Sequence, residues 1–118
     1  MLEKVYCFSS ADTKNVEKII DDDPIVINHM VLPQGAALPE HYSNSNMYMM
    51  IMRGKMTLKL DDQEPHEYTK GQIINIPYHI KMNINNFNED ILEFFVVKSP
   101  NPRNYEDKWN DHFNYFFQ

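Results

Sequence analysis

His41 is the residue around which binding chemistry can be expected in this sequence. It lies in the stretch PEHYSNSNMYMMIMRG, residues 39–54, where Ser43 and Met47 follow it, and Met82 supplies a further thioether downstream. These four side chains are an imidazole, a hydroxyl and two thioethers, and none of them is a carboxylate. Thioethers are soft ligands that suit Cu(I) better than the divalent ions held by imidazole and carboxylate groups. These side chains therefore favour a metal-free, Met-lined pocket, and a Cu(I) site is the alternative that their chemistry leaves open.

Further polar side chains extend this candidate pocket. Tyr48, Tyr78 and His79 can hydrogen-bond to a small organic molecule, which an apolar cavity with a few polar groups suits. A displaced metal site made from His29, His41 and His79 is a second hypothesis, since His29 lies on the neighbouring segment IVINHMVL. The favoured interpretation is that these are hydrogen-bonded histidines of the barrel or its rim. The predicted ligand-binding residues are His41, Ser43, Met47, Tyr48, Tyr78, His79 and Met82.

Catalysis without a metal would require an acid that works with His41. Glu40 is adjacent, but successive side chains of a strand point to opposite faces, so its carboxylate is not placed to pair with the imidazole. No sequence feature activates the Cys7 thiol, so we expect a small, semi-buried residue there instead of a nucleophile. No catalytic residue is predicted, and a non-enzymatic role is favoured over an enzymatic one.

Short strands must position these side chains, because prolines and glycines divide the chain into brief segments rich in Ile, Val, Met, Tyr and Phe. The acidic turn before Pro24 predicts a hairpin between NVEKII and IVINHMVL. The segment MYMMIMR is apolar on both of its alternating faces, which is typical of a strand buried on both sides. About eight strands and almost no helix indicate an antiparallel barrel.

The end of the chain follows a different pattern. Aromatic residues recur there at three- and four-residue spacing among polar ones, which predicts an amphipathic helix over residues 106–118 that covers barrel or subunit surface. A flexible or ligand-capping tail is the alternative. The chain is interpreted as one domain, residues 1–118, with its core over about residues 14–105. The aromatic positions of the predicted helix and its approach are Tyr105, Trp109, His112, Phe113 and Phe116.

The glycine spacing around His41 resembles the first motif of the cupin superfamily. That motif places His, His and Glu between two glycines. Here Gly35 is followed by five residues and His41, and Gly54 follows six residues after Met47. Ser43 stands where the second family His belongs, and Met47 stands where the Glu belongs.

A second stretch is similar to the other cupin motif, which contains Gly, Pro, Gly, His and Asn in that order. Gly71 is followed by five residues and Pro77. His79 takes the second Gly position, Met82 the His position and Asn86 the Asn position. The chain has only three glycines, and all three fall on family glycine positions, where the backbone needs glycine's conformational freedom.

The resemblance implies a small conserved-barrel cupin. The expected fold is all-β, an antiparallel barrel of the double-stranded β-helix or jelly-roll type. Metal-binding members hold Fe, Mn, Ni or Zn at the barrel mouth with His, His, Glu and His. Only His41 matches that set, so the metal motif is degenerate and no metal or other cofactor is predicted.

Composition restricts the partners. The net charge is −6 and only two arginines are present, without a lysine and arginine cluster, which argues against binding to nucleic acid or to an anionic membrane. No apolar run is long enough to span a bilayer, and the N-terminus does not read as a secretion signal. A single cysteine fits a reducing cytoplasm, where we expect this protein.

Three hypotheses follow for function. The first is metal-free binding of a small organic ligand in the barrel by a homodimer, since the apolar strand faces and aromatic tail exceed what one small barrel should expose. The second is a metal-dependent cupin enzyme, of dioxygenase or isomerase type, with non-standard ligands around His41. The third is a structural or interaction module whose barrel is filled by its own side chains.

Overall fold

The computed structural model describes residues 1–104, so the helix predicted over 106–118 lies outside the described residues. Within residues 1–104 the regular structure is formed by strands, apart from helical backbone at residues 103–104, as the all-β prediction required. The strands are β1 Asn15–Asp22, β2 Ile25–Leu32, β3 His41–Tyr42, β4 Met47–Arg53, β5 Lys55–Leu60, β6 His66–Thr69, β7 Ile73–Ile76, β8 Lys81–Asn85 and β9 Leu92–Lys98.

These strands form two antiparallel sheets that face each other. The larger sheet has the order β1-β2-β9-β4-β7, and the smaller has the order β3-β8-β5-β6. The hairpin expected at Pro24 joins β1 to β2, with Asp22 paired to Ile25. Connections repeatedly pass from one sheet to the other, so most neighbouring strands are distant in sequence and the barrel depends on long-range pairing.

The core lies between the sheets and consists of alternate residues of the strands. In β4, Met47, Met49 and Ile51 are buried, whereas Tyr48 is 40% and Met52 is 46% exposed on the outer face. The expectation that both faces of this strand are buried therefore holds for the inner face only. The largest fully buried core side chains are Phe94, Leu32, Met49, Met56, Leu58, Ile76, Met82 and Leu92.

Gly54 shows why glycine is required at the end of the first motif. Its φ angle is +82°, and a Cβ atom built there would lie 2.3 Å from the backbone oxygen of Ile91. The turn between β4 and β5 therefore passes too close to the loop before β9 for any side chain. This contact joins the two sheets at one end of the barrel.

Candidate functional site

Ser43 organises the end of the barrel at which the predicted site residues lie. Its Oγ donates to the carbonyl of Pro77 at 2.6 Å and accepts the N–H of Ile80 at 2.8 Å. Its carbonyl also accepts the backbone N–H of His79 at 2.9 Å. Ser43 is buried, and these bonds hold the turn 77–80 in place. The hydroxyl proton is used in the bond to Pro77, so the geometry gives Ser43 the role of positioning the turn 77–80.

His41 lies at the edge of the smaller sheet and is exposed. Its Nδ1 is 2.9 Å from the carbonyl of Pro39. Because a carbonyl only accepts, Nδ1 donates this hydrogen bond, which leaves Nε2 as the nitrogen available to other groups. His41 is the direct partner of Met82 in the β3–β8 pairing, and directly opposite residues share one face of a sheet. The imidazole therefore lies on the same sheet face as the Met82 side chain.

Met47 and Met82 belong to the packed core. Met47 is 2% and Met82 is 0% exposed, and Met49, Met56 and Phe94 beside them are each 0% exposed. A side chain without accessible surface adjoins no space that water could enter. The thioethers thus fill the barrel interior and do not line an open cavity within it.

The remaining predicted residues occupy two other places. Tyr48 projects from the outer face of the larger sheet, on the opposite side of β4 from Met47. Tyr78 and His79 lie together in the turn after β7, with ring centroids 5.8 Å apart, and the His79 ring stacks on Tyr42 at 4.7 Å. The structure therefore brings His41 to Met82, and Tyr78 to His79, but it does not bring Tyr48 to either pair.

His79 has a left-handed backbone conformation, with φ of 65°. This is the position at which the resemblance placed a family glycine, and a residue with a Cβ atom is disfavoured there. The bond from the His79 N–H to the Ser43 carbonyl and the stack on Tyr42 stabilise it. The local conformation of the motif is thus kept although its glycine is replaced.

A concave recess opens at the same end of the barrel, where the ends of β1 and β9 and the start of β2 meet the connection 43–46. Its volume is about 240 Å³. None of the seven sequence-predicted residues lines the part of it formed by residues 1–104. The residues that line it are Lys18, Asp21, Val26, Asn44, Lys98, Asn101, Pro102 and Arg103.

Asp21 is the acidic residue of this recess, and its charge is engaged by neighbours. Its Oδ1 accepts the side-chain amide of Asn101 at 2.6 Å, and its carboxylate lies 3.6 Å from both Lys18 Nζ and Arg103 Nη1. The hydrogen bond from Asn101, followed by the charge of Lys18, lowers the pKa of Asp21. Arg103 is in turn held by Asp23, through Nε at 2.9 Å. These contacts fix one wall of the recess.

Lys98 also lines the recess, but it takes part in none of the hydrogen bonds and ion pairs just described. It pairs with Val26 in β2 and with Met47 in β4, whose side chains are buried, so its stem starts on the inner face at the barrel end. Burial, and then the nearby charge of Lys18, lower the pKa of Lys98. Within residues 1–104, no carboxylate lies within ion-pair distance of its ammonium group.

His29 lies outside the barrel, on the outer face of the larger sheet. Its Nδ1 is 2.6 Å from Glu17 Oε1 and its Nε2 is 2.6 Å from Glu93 Oε2, and the imidazole is completely buried. Phe8 and Phe95 pack against the ring at 4.8 and 5.0 Å. The displaced metal site with His41 and His79 is therefore not formed, because the His29 nitrogens face two carboxylates on the other side of the sheet.

The described residues also test the other chemical expectations. Within residues 1–104, His, Cys, Asp and Glu side chains form no group of three that could hold a metal ion. Cys7 is exposed, which corrects the expectation of a semi-buried residue, because the N-terminal segment lies on the surface without a strand. In the same part of the chain, no helix has the length and apolar character needed to cross a membrane.

The chain is similar to proteins of known structure. An uncharacterized protein of Methanocaldococcus jannaschii is 54% identical over 104 residues, which is 87% of this chain and 90% of the relative. The crystal structure of an RmlC-like cupin family protein with a double-stranded β-helix fold, from that organism, matches with a TM-score of 0.86 and 52% identity, over 90% of this chain and 98% of that one.

More distant structures share the fold alone. A cupin superfamily protein of Desulfitobacterium hafniense matches with a TM-score of 0.68 at 13% identity, over 80% of this chain and 84% of that one. A cupin 2 conserved barrel domain protein of Salinispora arenicola matches with a TM-score of 0.66 at 12% identity, over 83% and 87%. No family model matches the sequence. The double-stranded β-helix predicted from the motifs is confirmed by these matches.

Proposed function

Because the chain belongs to the RmlC-like cupin family, we propose that it binds a small organic molecule at one end of its barrel, without a resident metal and without assigned catalysis. The observation that carries this proposal is the recess of about 240 Å³ at the barrel end, beside an interior filled by its own side chains. Such a concavity, with an apolar floor at Val26 and polar groups at its rim, suits a small molecule.

We propose no catalytic role because of the groups that surround His41. Its Nδ1 donates to a backbone carbonyl, and the adjacent Glu40 is used by Asn83 at 3.2 Å and lies 4.0 Å from Lys81. In the part of the chain that the structure describes, the imidazole therefore has no carboxylate oriented to assist proton transfer. We propose binding, and not turnover, as the role of this barrel end.

The test is a ligand screen on the full chain, purified without chelators or metal resin and first subjected to elemental analysis. Neutral, anionic and cationic fragments are screened by ¹H–¹⁵N correlation spectra. We expect hits whose shifts cluster at Val26, Asn44 and Lys98. Asn44→Trp, which places an indole at the recess rim, should abolish these shifts, whereas Gln34→Trp on an exposed loop should not. Fragments that still shift these signals in Asn44→Trp, or stoichiometric metal in the purified protein, would contradict the proposal.

A second candidate function is an interaction module whose barrel is structural only. The filled interior favours it, since Met49, Met56, Ile76, Met82 and Phe94 are all 0% exposed. In that case no fragment of any charge would bind at the barrel end. The same screen therefore separates the two candidates.

We also propose that the protein is a homodimer and is cytoplasmic. The outer face of the larger sheet carries Tyr48, Met52 and Ile73, which are 40, 46 and 65% exposed, and apolar patches of this kind are usually covered by a partner. Ile73→Lys should yield a monomer in analytical ultracentrifugation. Phe87→Lys, at a loop residue that is 68% exposed, is the matched control and should leave the dimer intact.

A further inference from the structure

We infer that the ligand of the barrel-end recess is a small oxyanion, the carboxylate or phosphate group of an organic molecule, bound by the ammonium group of Lys98 with Lys18 beside it. This inference rests on the proposed function, because it specifies the chemical class of ligand that the same recess takes. It goes beyond that proposal by assigning the charged group that recognises the ligand.

The charge balance of the recess carries the inference. Within residues 1–104, its lining contains three basic residues, Lys18, Lys98 and Arg103, and one acidic residue, Asp21. Arg103 is paired with Asp23, and Asp21 is shared between Lys18 and Arg103. Among the described residues, Lys98 is thus the basic lining residue that has no ion pair, in a chain whose net charge is −6.

The strand pairing of Lys98 places its side chain at the recess. Its partners Val26 and Met47 are buried at 2% each, so the lysine stem leaves the apolar core and its ammonium group meets the recess. A desolvated ammonium with a like charge nearby is stabilised by an anionic partner. An oxyanion between Lys98 and Lys18 would supply an opposite charge and accept hydrogen bonds from both.

The remaining groups of the recess fit an anion with an organic body. Val26 contributes apolar surface, and Asn44 adds an amide at the rim that can donate. Asn101 is already occupied, because its amide donates to Asp21 at 2.6 Å and to the Asp22 carbonyl at 3.0 Å. Asn101 therefore holds Asp21 away from the ligand position instead of contacting the ligand.

Anion binding is linked to the protonation of Lys98. Burial and Lys18 lower the pKa of Lys98, so its ammonium form is lost earlier on raising the pH than that of an exposed lysine. An anion binds the protonated form only and raises this pKa again. We therefore expect affinity to be highest at neutral pH and to decline as the pH rises through the lowered pKa.

The experiment titrates the full chain with inorganic phosphate, with succinate and with uncharged succinamide at constant ionic strength, followed by ¹H–¹⁵N correlation spectra. Phosphate or succinate should shift the signals of Lys98 and Asn44, and succinamide should not. Lys98→Met should weaken the anion by about tenfold or more, and Lys98→Arg should retain binding. Lys59→Met, at an exposed lysine of the other sheet, is the matched control and should bind as the original protein does.

Each outcome decides the inference. Anion shifts that persist in Lys98→Met, or the absence of shifts with both phosphate and succinate, would overturn it. If neutral fragments from the screen bind at Asn44 while anions do not, the anion assignment fails and the proposed function stands. If no fragment of any charge binds there, the proposed function fails as well. Preserved spectra of Lys98→Met outside the recess verify that the variant is folded.

Discussion

The imidazole of His29 lies 2.6 Å from the carboxylate of Glu17, on the outer face of the larger sheet. Its other nitrogen is equally close to Glu93, which also accepts from Arg53 Nε at 2.8 Å. Arg53 in turn contacts Asp12 of the N-terminal segment at 2.5 Å. Each ring nitrogen of His29 therefore faces a carboxylate oxygen, and the imidazole bridges Glu17 and Glu93. This chain of charges ties the N-terminal segment, β1, β4 and β9 to β2.

We expect His29→Leu to destabilise the fold by about 2–4 kcal/mol, because it leaves two carboxylates facing each other across an apolar side chain. Arg53 still neutralises Glu93 in part, which keeps the effect below that of a fully buried unpaired charge. Chemical denaturation followed by circular dichroism measures the free energy of unfolding. His66→Leu, at an exposed histidine of β6, is the control, and an equal effect of both variants would contradict this account.

Acid should weaken the same cluster through Glu17. The hydrogen bond from the Ser9 backbone N–H, followed by that from His29, lowers the pKa of Glu17 below its ordinary value of 4.5. A carboxyl whose pKa is lowered in the folded state adds stability that is present above its unfolded pKa and is lost as the pH falls through the folded value. We therefore expect the stability difference between the original protein and Glu17→Gln to shrink as the pH falls below 4.5.

Urea denaturation of both proteins at a series of pH values measures this difference. Glu89→Gln, at an exposed carboxyl of the loop before β9, is the control and should show no such dependence. A difference that stays constant from neutral pH into the acid range would contradict the role assigned to the Glu17 charge.

Ser43→Ala should cost about 1–3 kcal/mol, because it removes a buried hydroxyl that both donates to Pro77 and accepts from Ile80. The Ile80 N–H would keep no partner in the vacated space. Thermal and chemical denaturation measure the loss. Ser99→Ala, where an exposed Oγ donates to Pro24 at 3.2 Å, should change stability far less. Equal losses would show that the Ser43 hydroxyl does not hold the turn.

The fold was predictable where local chemistry determines it. The acidic turn at Pro24 predicts the first hairpin. The alternation in β4 predicts which of its side chains face the core. Gly54 shows that the motif glycine has a steric cause, since its turn lies against the backbone of Ile91. The hairpin and the alternation depend on neighbouring residues, and Gly54 was found from the motif spacing, all of which one sequence displays directly. The contact of Gly54 with Ile91 is long-range, and only the structure shows it.

The recess was not predictable in the same way, because it depends on the register between strands that are far apart in the chain. Lys18 and Lys98 approach each other only when β1, β2 and β9 are aligned. The partners of His29 were not predictable for a related reason, although a hydrogen-bonded histidine was the favoured interpretation. The segment IVINHMVL is apolar on both faces, so its alternation does not say which face is the core. The carboxylates that hydrogen-bond to His29 lie 12 and 64 residues away in the sequence.

Met82→His tests the motif register most directly, because Met82 is the direct strand partner of His41 and occupies the family His position. The His41 Nδ1 donates to Pro39, so Nε2 is available as a ligand, and a second imidazole on the same sheet face would create a two-nitrogen site. We expect Met82→His to gain affinity for Ni²⁺ or Zn²⁺ by about tenfold over the original protein, measured by calorimetry.

The same substitution should cost stability, since a polar ring replaces a fully buried thioether. Added Ni²⁺ should recover part of the loss, because a ligand that binds only the folded state stabilises it. His41→Ala combined with Met82→His is the control and should lose both the affinity and the recovery. If the single and double variants bind Ni²⁺ equally, the two positions do not face a common point and the alignment of the second motif is incorrect.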